Sequence, residues 1–377
     1  MARAPAITEF EELPEADRLE GFPHPRETKD LYGHGEAERL LAEALASGRL
    51  HHAWLLTGPQ GIGKATLAYR FARAALAAAD ERESSGQSLA VADTTSAARQ
   101  VKALSHPGLL LIRRPYDVKA KRFATSIPVD EVRRLRSFLS HRATADGWRV
   151  VIVDEANELN VNAANALLKS LEEPPTRTVF LLVSSAPGRL LPTIRSRTRA
   201  LLLQPLGTRD LRAAAVQALA AGGAPQPSDA EWAPLERLAE GNAGRLLGLL
   251  GSGGIELNAK VEKLLSLLPK VDWRAVHTLS DELQPIAAQP RFELFFELLQ
   301  NALSRLIRAA ATGEGSAEDR ALAVRLMGEA RLASFVALWE RIAREKADTL
   351  TLNLDRKSFI LEIVARLASA AQNRKPA

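Results

Sequence analysis

Nine consecutive residues, Gly58-Pro59-Gln60-Gly61-Ile62-Gly63-Lys64-Ala65-Thr66, follow the apolar run Ala53-Trp54-Leu55-Leu56. Glycines at this spacing, ending on a lysine that opens a helix, cradle phosphates. The backbone N–H groups, the helix N-terminus and one ammonium all favour negative charge. The pattern G-x-x-x-x-G-K-[ST] ends on a hydroxyl that ligates the Mg²⁺ bridging β- and γ-phosphates. Here that position holds Ala65, which has no oxygen to offer. Thr66 comes one residue late, about a quarter-turn further round the helix, and takes over only if the loop slips. Gly58, Gly61, Gly63 and Lys64 can hold phosphate, while the metal has lost a ligand.

The other chemistry-bearing residues stand at the ends of apolar runs. Asp154-Glu155 follows Val150-Val151-Ile152-Val153. A first carboxylate there orients Mg²⁺, and its neighbour polarises an attacking water. An apolar run ending in two acids is common by itself; about ninety residues after a phosphate loop it gains meaning. Ser184-Ser185 ends the next apolar run, Val179 to Val183. Ser184 at a strand end can reach a γ-phosphate or its water, or simply be a polar strand end. Arg195, Arg197 and Arg199 alternate within Thr193-Ile194-Arg195-Ser196-Arg197-Thr198-Arg199. They cannot all face one core, and the guanidinium fork matches phosphate oxygens. Such an arginine, given in trans to a neighbour's γ-phosphate, is worth roughly 10³–10⁵ in rate. The bland reading is a solvated basic helix end. Arg245, in Gly241-Asn242-Ala243-Gly244-Arg245, opens a later helix and can approach nucleotide from that side.

The elements that carry these residues follow from periodicity. Residues 1 to about 27, with Glu9, Glu11, Glu12, Glu15 and Asp17, read as an extended arm. From Leu31 to about Leu206 strands alternate with helices, as in a parallel sheet covered on both faces. Strands are expected at 53–56, 109–112, 150–153, 179–183 and 201–203. Leu67, Phe71, Ala75 and Ala78 form one stripe on the helix after the loop. A second helix runs from Asn162 to Glu173, with Leu167, Leu168 and Leu171 on one face and Pro174-Pro175 as its stop. Asp80 to Pro107 reads as an insertion with little core of its own. Residues 113–126 are basic (Arg113, Arg114, Lys119, Lys121, Arg122) with Tyr116 and Phe123 interleaved, a solvated loop or a nucleic-acid contact. After Leu206 the chain is helical. Ser228-x-x-Glu231 is a capping box, and Gly251-Ser252-Gly253-Gly254 reads as a linker. Amphipathic patterns cover Phe292–Ile307, Asp319–Met327 and Arg356–Leu367, and Arg374 and Lys375 form a basic tail.

Composition narrows the function classes. The 377 residues are 46% apolar and 25% charged, enough for two or three domains. No apolar run approaches the roughly 20 residues of a membrane span. The acidic N-terminal stretch is unlike a secretory or organelle-targeting segment, so a cytoplasmic location is expected. The absence of cysteine excludes disulfides and thiolate zinc sites. The seven histidines show no metal-binding spacing, and His51-His52 reads as a pair leading into a strand. A net charge of +5 with a pI near 9.5 permits a nucleic-acid partner without requiring one.

The ordered set GPQGIGK, VVIVDEAN, NALLKSLEEPP, LVSSAP and TIRSRTR resembles the clamp-loader branch of AAA+ proteins. NALLKSLEEPP and TIRSR are far more specific than the loop. Leu31-Tyr32-Gly33-His34 and Asn353-Leu354-Asp355-Arg356-Lys357 also fit, so the likeness spans nearly the whole chain. It is nearer to a non-motor subunit of DNA polymerase III than to the gamma/tau motors. The resemblance implies three parts: an AAA+ core at 1–207 (with 1–27 as an arm), a three-helix lid at 208–253, and an all-α collar at 254–377 that joins subunits in a ring. It implies gamma/tau and delta subunits, a sliding clamp and primer–template DNA as partners. Arg197 inherits the role of trans arginine, with Ser196 near DNA. Gly58, Gly61, Gly63, Lys64, Thr66, Asp154, Glu155, Ser184 and Arg245 line a degenerate ATP site.

Two departures stand out. Thr198 occupies the cysteine of the family's Ser-Arg-Cys, and the 80–107 insertion lacks the four cysteines that bind zinc in many relatives. No cofactor is then required, with weak ATP–Mg²⁺ binding left open and zinc excluded. Two alternatives remain: a competent ATPase in which Thr66 or a water replaces the hydroxyl, and a free-standing DNA-binding AAA+ module built on 113–126.

Overall fold

The computed structural model describes residues 13–82, 86–120, 122–140, 147–352 and 354–372. Two compact units divide the chain, Met1–Leu247 and Gly248–Ala377. Five parallel strands form the sheet of the first unit: β1 (Ala53–Thr57), β2 (Leu109–Ile112), β3 (Arg149–Val153), β4 (Thr178–Ser184) and β5 (Arg199–Leu202). Their order is β2-β3-β4-β1-β5. In register, Val153 lies beside Leu182 and Thr57 beside Ser184. The carboxyl ends of β3, β4 and β1 are therefore neighbours, which brings residues 58, 154 and 184 to one edge of the sheet. That edge is where open α/β sheets bind ligands.

Alternation along the strands makes two cores. Val150, Ile152, Val179 and Leu181 face α1 (Gly35–Ala46) and α2 (Lys64–Leu76), packing with Leu41, Leu67 and Phe71. α3 (Ser96–Lys102) adds Val101 to that face. Val151, Val153, Phe180 and Leu182 face α4 (Val129–Ser140) and α5 (Val161–Glu172), with Leu135, Leu167 and Leu171. The short α6 (Pro192–Arg195) leads into β5. Asn160 caps α5, its side chain accepting from the N–H of Ala163 at 2.8 Å.

Several sequence expectations need revision. The last strand begins at Arg199 and lies at the sheet edge, with Leu202 59% exposed, so it is not covered on both faces. The α2 stripe ends at Leu76, and Ala78 is exposed outside it. The 80–107 insertion does carry core: Leu89, Ala97, Ala98 and Val101 are buried, and the Arg82 guanidinium caps the carbonyls of Ala75 and Ala77 at the end of α2.

The described part of the arm is folded onto the unit rather than extended. Phe22 and His24 are buried, and Arg113 pairs with both Glu15 and Asp17. Asp17 also meets His24 Nε2 at 2.9 Å and accepts from the Tyr69 hydroxyl at 3.3 Å. Burial works to raise the Asp17 carboxyl, but His24 and Arg113 outweigh it and hold it below the usual range. Glu9, Glu11, Glu12, Lys121, Asn353, Arg374 and Lys375 lie outside the described residues.

Beyond Leu206 the described residues hold helices and no strand. α7 (Thr208–Ala221) and α8 (Asp229–Ala239) come first, the latter opened by the Ser228–Glu231 capping box. α9 (Ala243–Gly251) spans the division between the units. Gly251–Gly254 is a tight turn inside the second unit rather than a linker. Gly253 takes φ +67°, and a Cβ on Gly254 would fall 2.6 Å from the Leu249 side chain.

Six helices follow: α10 (Gly254–Leu267), α11 (Trp273–Leu283), α12 (Gln289–Thr312), α13 (Ala317–Leu326), α14 (Gly328–Thr351) and α15 (Arg356–Gln372). Phe292, Phe295, Phe296 and Phe359 stack in their core. Buried Arg356 donates to the Pro285 carbonyl and to Gln289 beneath the Phe292 ring. Its motif is thus structural cement within this unit. α14 escapes the sequence reading because its buried stripe (Phe335, Leu338, Ile342) is thin among charged residues.

Candidate functional site

The loop from Gly58 to Gly63 has every carbonyl from 58 to 62 engaged by protein. Lys64 Nζ, at the start of α2, turns back onto the carbonyls of Gly58 (2.9 Å) and Pro59 (2.7 Å). The Gln60 carbonyl accepts from Asn242 Nδ2, and the Gly61 carbonyl accepts from the Gly244 N–H at 2.9 Å. His34 Nε2 meets the Ile62 carbonyl at 2.7 Å. Burial pulls the His34 imidazole below its usual range, against the pull of that carbonyl and of Asp210. Gly58, Gly61 and Gly63 have φ of +136°, +84° and +109°, values that only glycine adopts without strain.

Behind the loop stand the carboxylates of β3. Asp154 is buried, and burial, with Asp17 and Glu155 nearby, pushes its carboxyl up to about 8 against the opposing pull of Lys64. Burial also lowers the Lys64 ammonium, while Glu155 and Asp154 resist the change. Glu155 sits at φ +47°, a left-handed conformation that strains a residue with a Cβ. Its carboxylate accepts from Ser185 Oγ at 2.6 Å and from the Ser185 N–H at 3.3 Å. Ser184 is fully buried and donates to Asn157 Oδ1 at 2.7 Å, which also accepts from the Ser185 N–H. Asn157 thus ties the end of β4 to the turn after β3. The sequence reading passed over it, although it stands two residues after Glu155.

A nucleoside triphosphate with Mg²⁺ is the group this frame implies. The phosphate half fits: a glycine cradle, a helix N-terminus and Lys64. The metal half does not. Ala65 offers no oxygen, Thr66 lies on a different face of α2, and Asp154 is held toward its neutral form. Among the described residues no group of three or more His, Asp or Glu is arranged to hold a metal ion.

Arg245 adjoins the loop through its neighbours, and the arginines of the α6–β5 element bond elsewhere. Arg245 opens α9 with its N–H on Asn242 Oδ1 (2.9 Å), and its guanidinium meets Glu240 at 3.2 Å. The three arginines of the α6–β5 element diverge. Arg195 is exposed, Arg199 lies over the Trp54 ring at 4.9 Å, and Arg197 meets Glu172 Oε1 at 2.9 Å and the Thr193 carbonyl at 3.1 Å. Glu172 is exposed and Arg197 half-buried, so water reaches that contact. The aromatic pair of 113–126 is a small antiparallel ladder, Tyr116 opposite Phe123 with rings 5.2 Å apart. Arg113 and Arg114 are spent on Glu15, Asp17 and Glu158, which weakens the nucleic-acid reading of that stretch.

Residues 33–207 match a family model described as DNA polymerase III, delta subunit. The chain is 42% identical over 146 residues to DNA polymerase III subunit delta' of Pseudomonas aeruginosa, covering 39% of this chain and 41% of that one. It is 35% identical over 168 residues to the delta' subunit of Escherichia coli, covering 45% and 46%. To the gamma/tau subunit of Mycobacterium tuberculosis it is 32% identical over 189 residues, covering 50% and 30%. The chain thus spans less than half the length of each of these relatives. A Thermotoga maritima protein related to the gamma subunit of DNA polymerase III superposes over 88% of this chain and 99% of its own, with a TM-score of 0.41 at 19% identity.

Proposed function

We infer that this chain, which belongs to the DNA polymerase III delta-subunit family of the AAA+ clamp loaders, works as a delta-prime-like stator of a replicative clamp loader. Its Arg197 reaches the ATP of a neighbouring gamma/tau-type subunit and stabilises charge on the γ-phosphate, while its own loop does not hydrolyse ATP. The delta subunit, the sliding clamp and primer–template DNA complete the cytoplasmic assembly.

One contrast carries this reading. The loop has lost its metal ligand at Ala65, while Arg197 lies half-buried at the surface against a solvent-exposed partner, Glu172. A motor needs the first; a stator needs only its fold and the arginine. The competent-ATPase alternative draws on a single observation, that the Asp154 and Glu155 carboxylates are both near enough to act on the Lys64 ammonium.

Arg197→Ala in a reconstituted loader is expected to cut turnover at the site it completes by roughly 10³-fold or more, with assembly unchanged by sizing. Undiminished DNA-stimulated hydrolysis in a fully formed complex would remove the trans-arginine role.

A further inference from the structure

We propose that Asn242 and Gly244 latch the segment from 208 to 247 onto the phosphate loop, so that the chain's own contacts set its position. The inference rests on the stator reading for its purpose but not for its geometry.

The latch is direct. Gly244 N–H donates to the Gly61 carbonyl at 2.9 Å, and Asn242 Nδ2 donates to the Gln60 carbonyl. The two backbones touch so closely that a Cβ on Gly244 would fall 2.9 Å from Gly61 Cα. Likewise, a Cβ on Gly61 would fall 2.5 Å from Asn242 Oδ1. No bridging group fits between them. Asn242 holds both sides at once, because its Oδ1 also accepts from the Arg245 N–H at 2.9 Å and so caps α9.

The same segment is fastened elsewhere. Leu206 N–H donates to the Gly241 carbonyl at 2.8 Å, and a Cβ on Gly241 would fall 2.6 Å from the Leu206 carbonyl oxygen. On α7, the Gln217 amide exchanges two hydrogen bonds with the backbone of Asp30, at 3.0 and 3.1 Å. A segment pinned at both α7 and α9 cannot swing as a body while the Gly61–Gly244 bond is made. Opening it would exchange the bonds to the Gln60 and Gly61 carbonyls for bonds to water and lose the close packing of Gly244 on Gly61.

Amide hydrogen exchange on the full chain tests this with no partner subunit and no nucleotide, so it stands or falls apart from the role of Arg197. In the wild type the Gly244 amide should be protected as well as those of Leu246 to Leu249. Asn242→Ala should lower Gly244 protection roughly tenfold while leaving the amides of β1 and β4 unchanged. Gly61→Ala attacks the latch from the loop side and keeps the α9 cap, and it should expose the same amide. Wild-type exchange at the rate of an open loop would overturn the latch. So would a Gly61→Ala chain in which Gly244 stays protected, because Asn242 would then be a helix cap and nothing more.

Discussion

The phosphate loop and the Thr193–Arg199 element carry opposite commitments. From Gly58 to Ile62 each carbonyl is bonded, by Lys64, Asn242, Gly244 and His34. The lysine that would bind phosphate is turned onto its own loop. Arg197, by contrast, is half-buried at the surface, held by an exposed carboxylate, the Thr193 carbonyl and the Ser196 hydroxyl. A surface ion pair is worth about 0–1 kcal/mol, so a phosphate can take the guanidinium at little cost. One region is bound inward and the other stands ready to act outward. On the stator reading the loop can lose turnover while the outward half is kept, because a trans arginine needs positioning and no metal.

The loss expected of Arg197→Ala is the largest effect tied to this contrast, about 4 kcal/mol of barrier or more. Next comes Arg113→Ala, the buried counterpart of the Arg197 pair. It would take one cation from Glu15, which keeps Arg26, and from the nearly inaccessible Asp17, which keeps His24, and breaking a buried pair costs up to about 3–5 kcal/mol. Chemical denaturation followed at Trp54 should show the loss. A change under 1 kcal/mol would mean that the acidic segment is not anchored as described.

A smaller, pH-dependent effect follows from Asp154. Its carboxyl sits at about 8 in the folded chain, against about 3.9 when unfolded. The folded chain therefore holds the extra proton between those values, and stability falls as pH rises through that window. Asp154→Asn removes the slope. The variant should melt a few degrees above wild type at pH 8, with the gain shrinking towards pH 5. An equal gain at both pH values would show that Asp154 is not strained by its charge.

Smallest of all, Glu172→Gln should move unfolding free energy by less than about 1 kcal/mol. A larger loss would mean that Arg197 is locked in place rather than available.

How much of this was legible in sequence depends on distance along the chain. The loop, Asp154-Glu155 and Ser184 were readable because each ends its own apolar strand. The strand order then brings them together. The Ser228 box was local and readable too, whereas the α5 helix was expected from Asn162, two residues past its Asn160 cap. What escaped were partnerships between distant segments. Glu15 and Asp17 look like a solvated acidic arm until the fold delivers Arg113, nearly a hundred residues later. Arg113 in turn looks like part of a nucleic-acid surface. Asn242 carries no signal of its own, because its value lies in where α9 begins relative to Gly61. β5 misled for another reason: Leu201-Leu202-Leu203 is as apolar as a central strand, and only the topology puts it at the edge.

The most direct test of this division of labour is a titration of the purified chain with labelled ATP, with and without Mg²⁺, beside Ala65→Thr. The account predicts that Mg²⁺ adds nothing to binding by the wild type, which hydrolyses no ATP, and that the threonine variant gains Mg²⁺-dependent affinity. Mg²⁺-dependent binding with turnover by the wild-type chain would contradict it and make this subunit a motor.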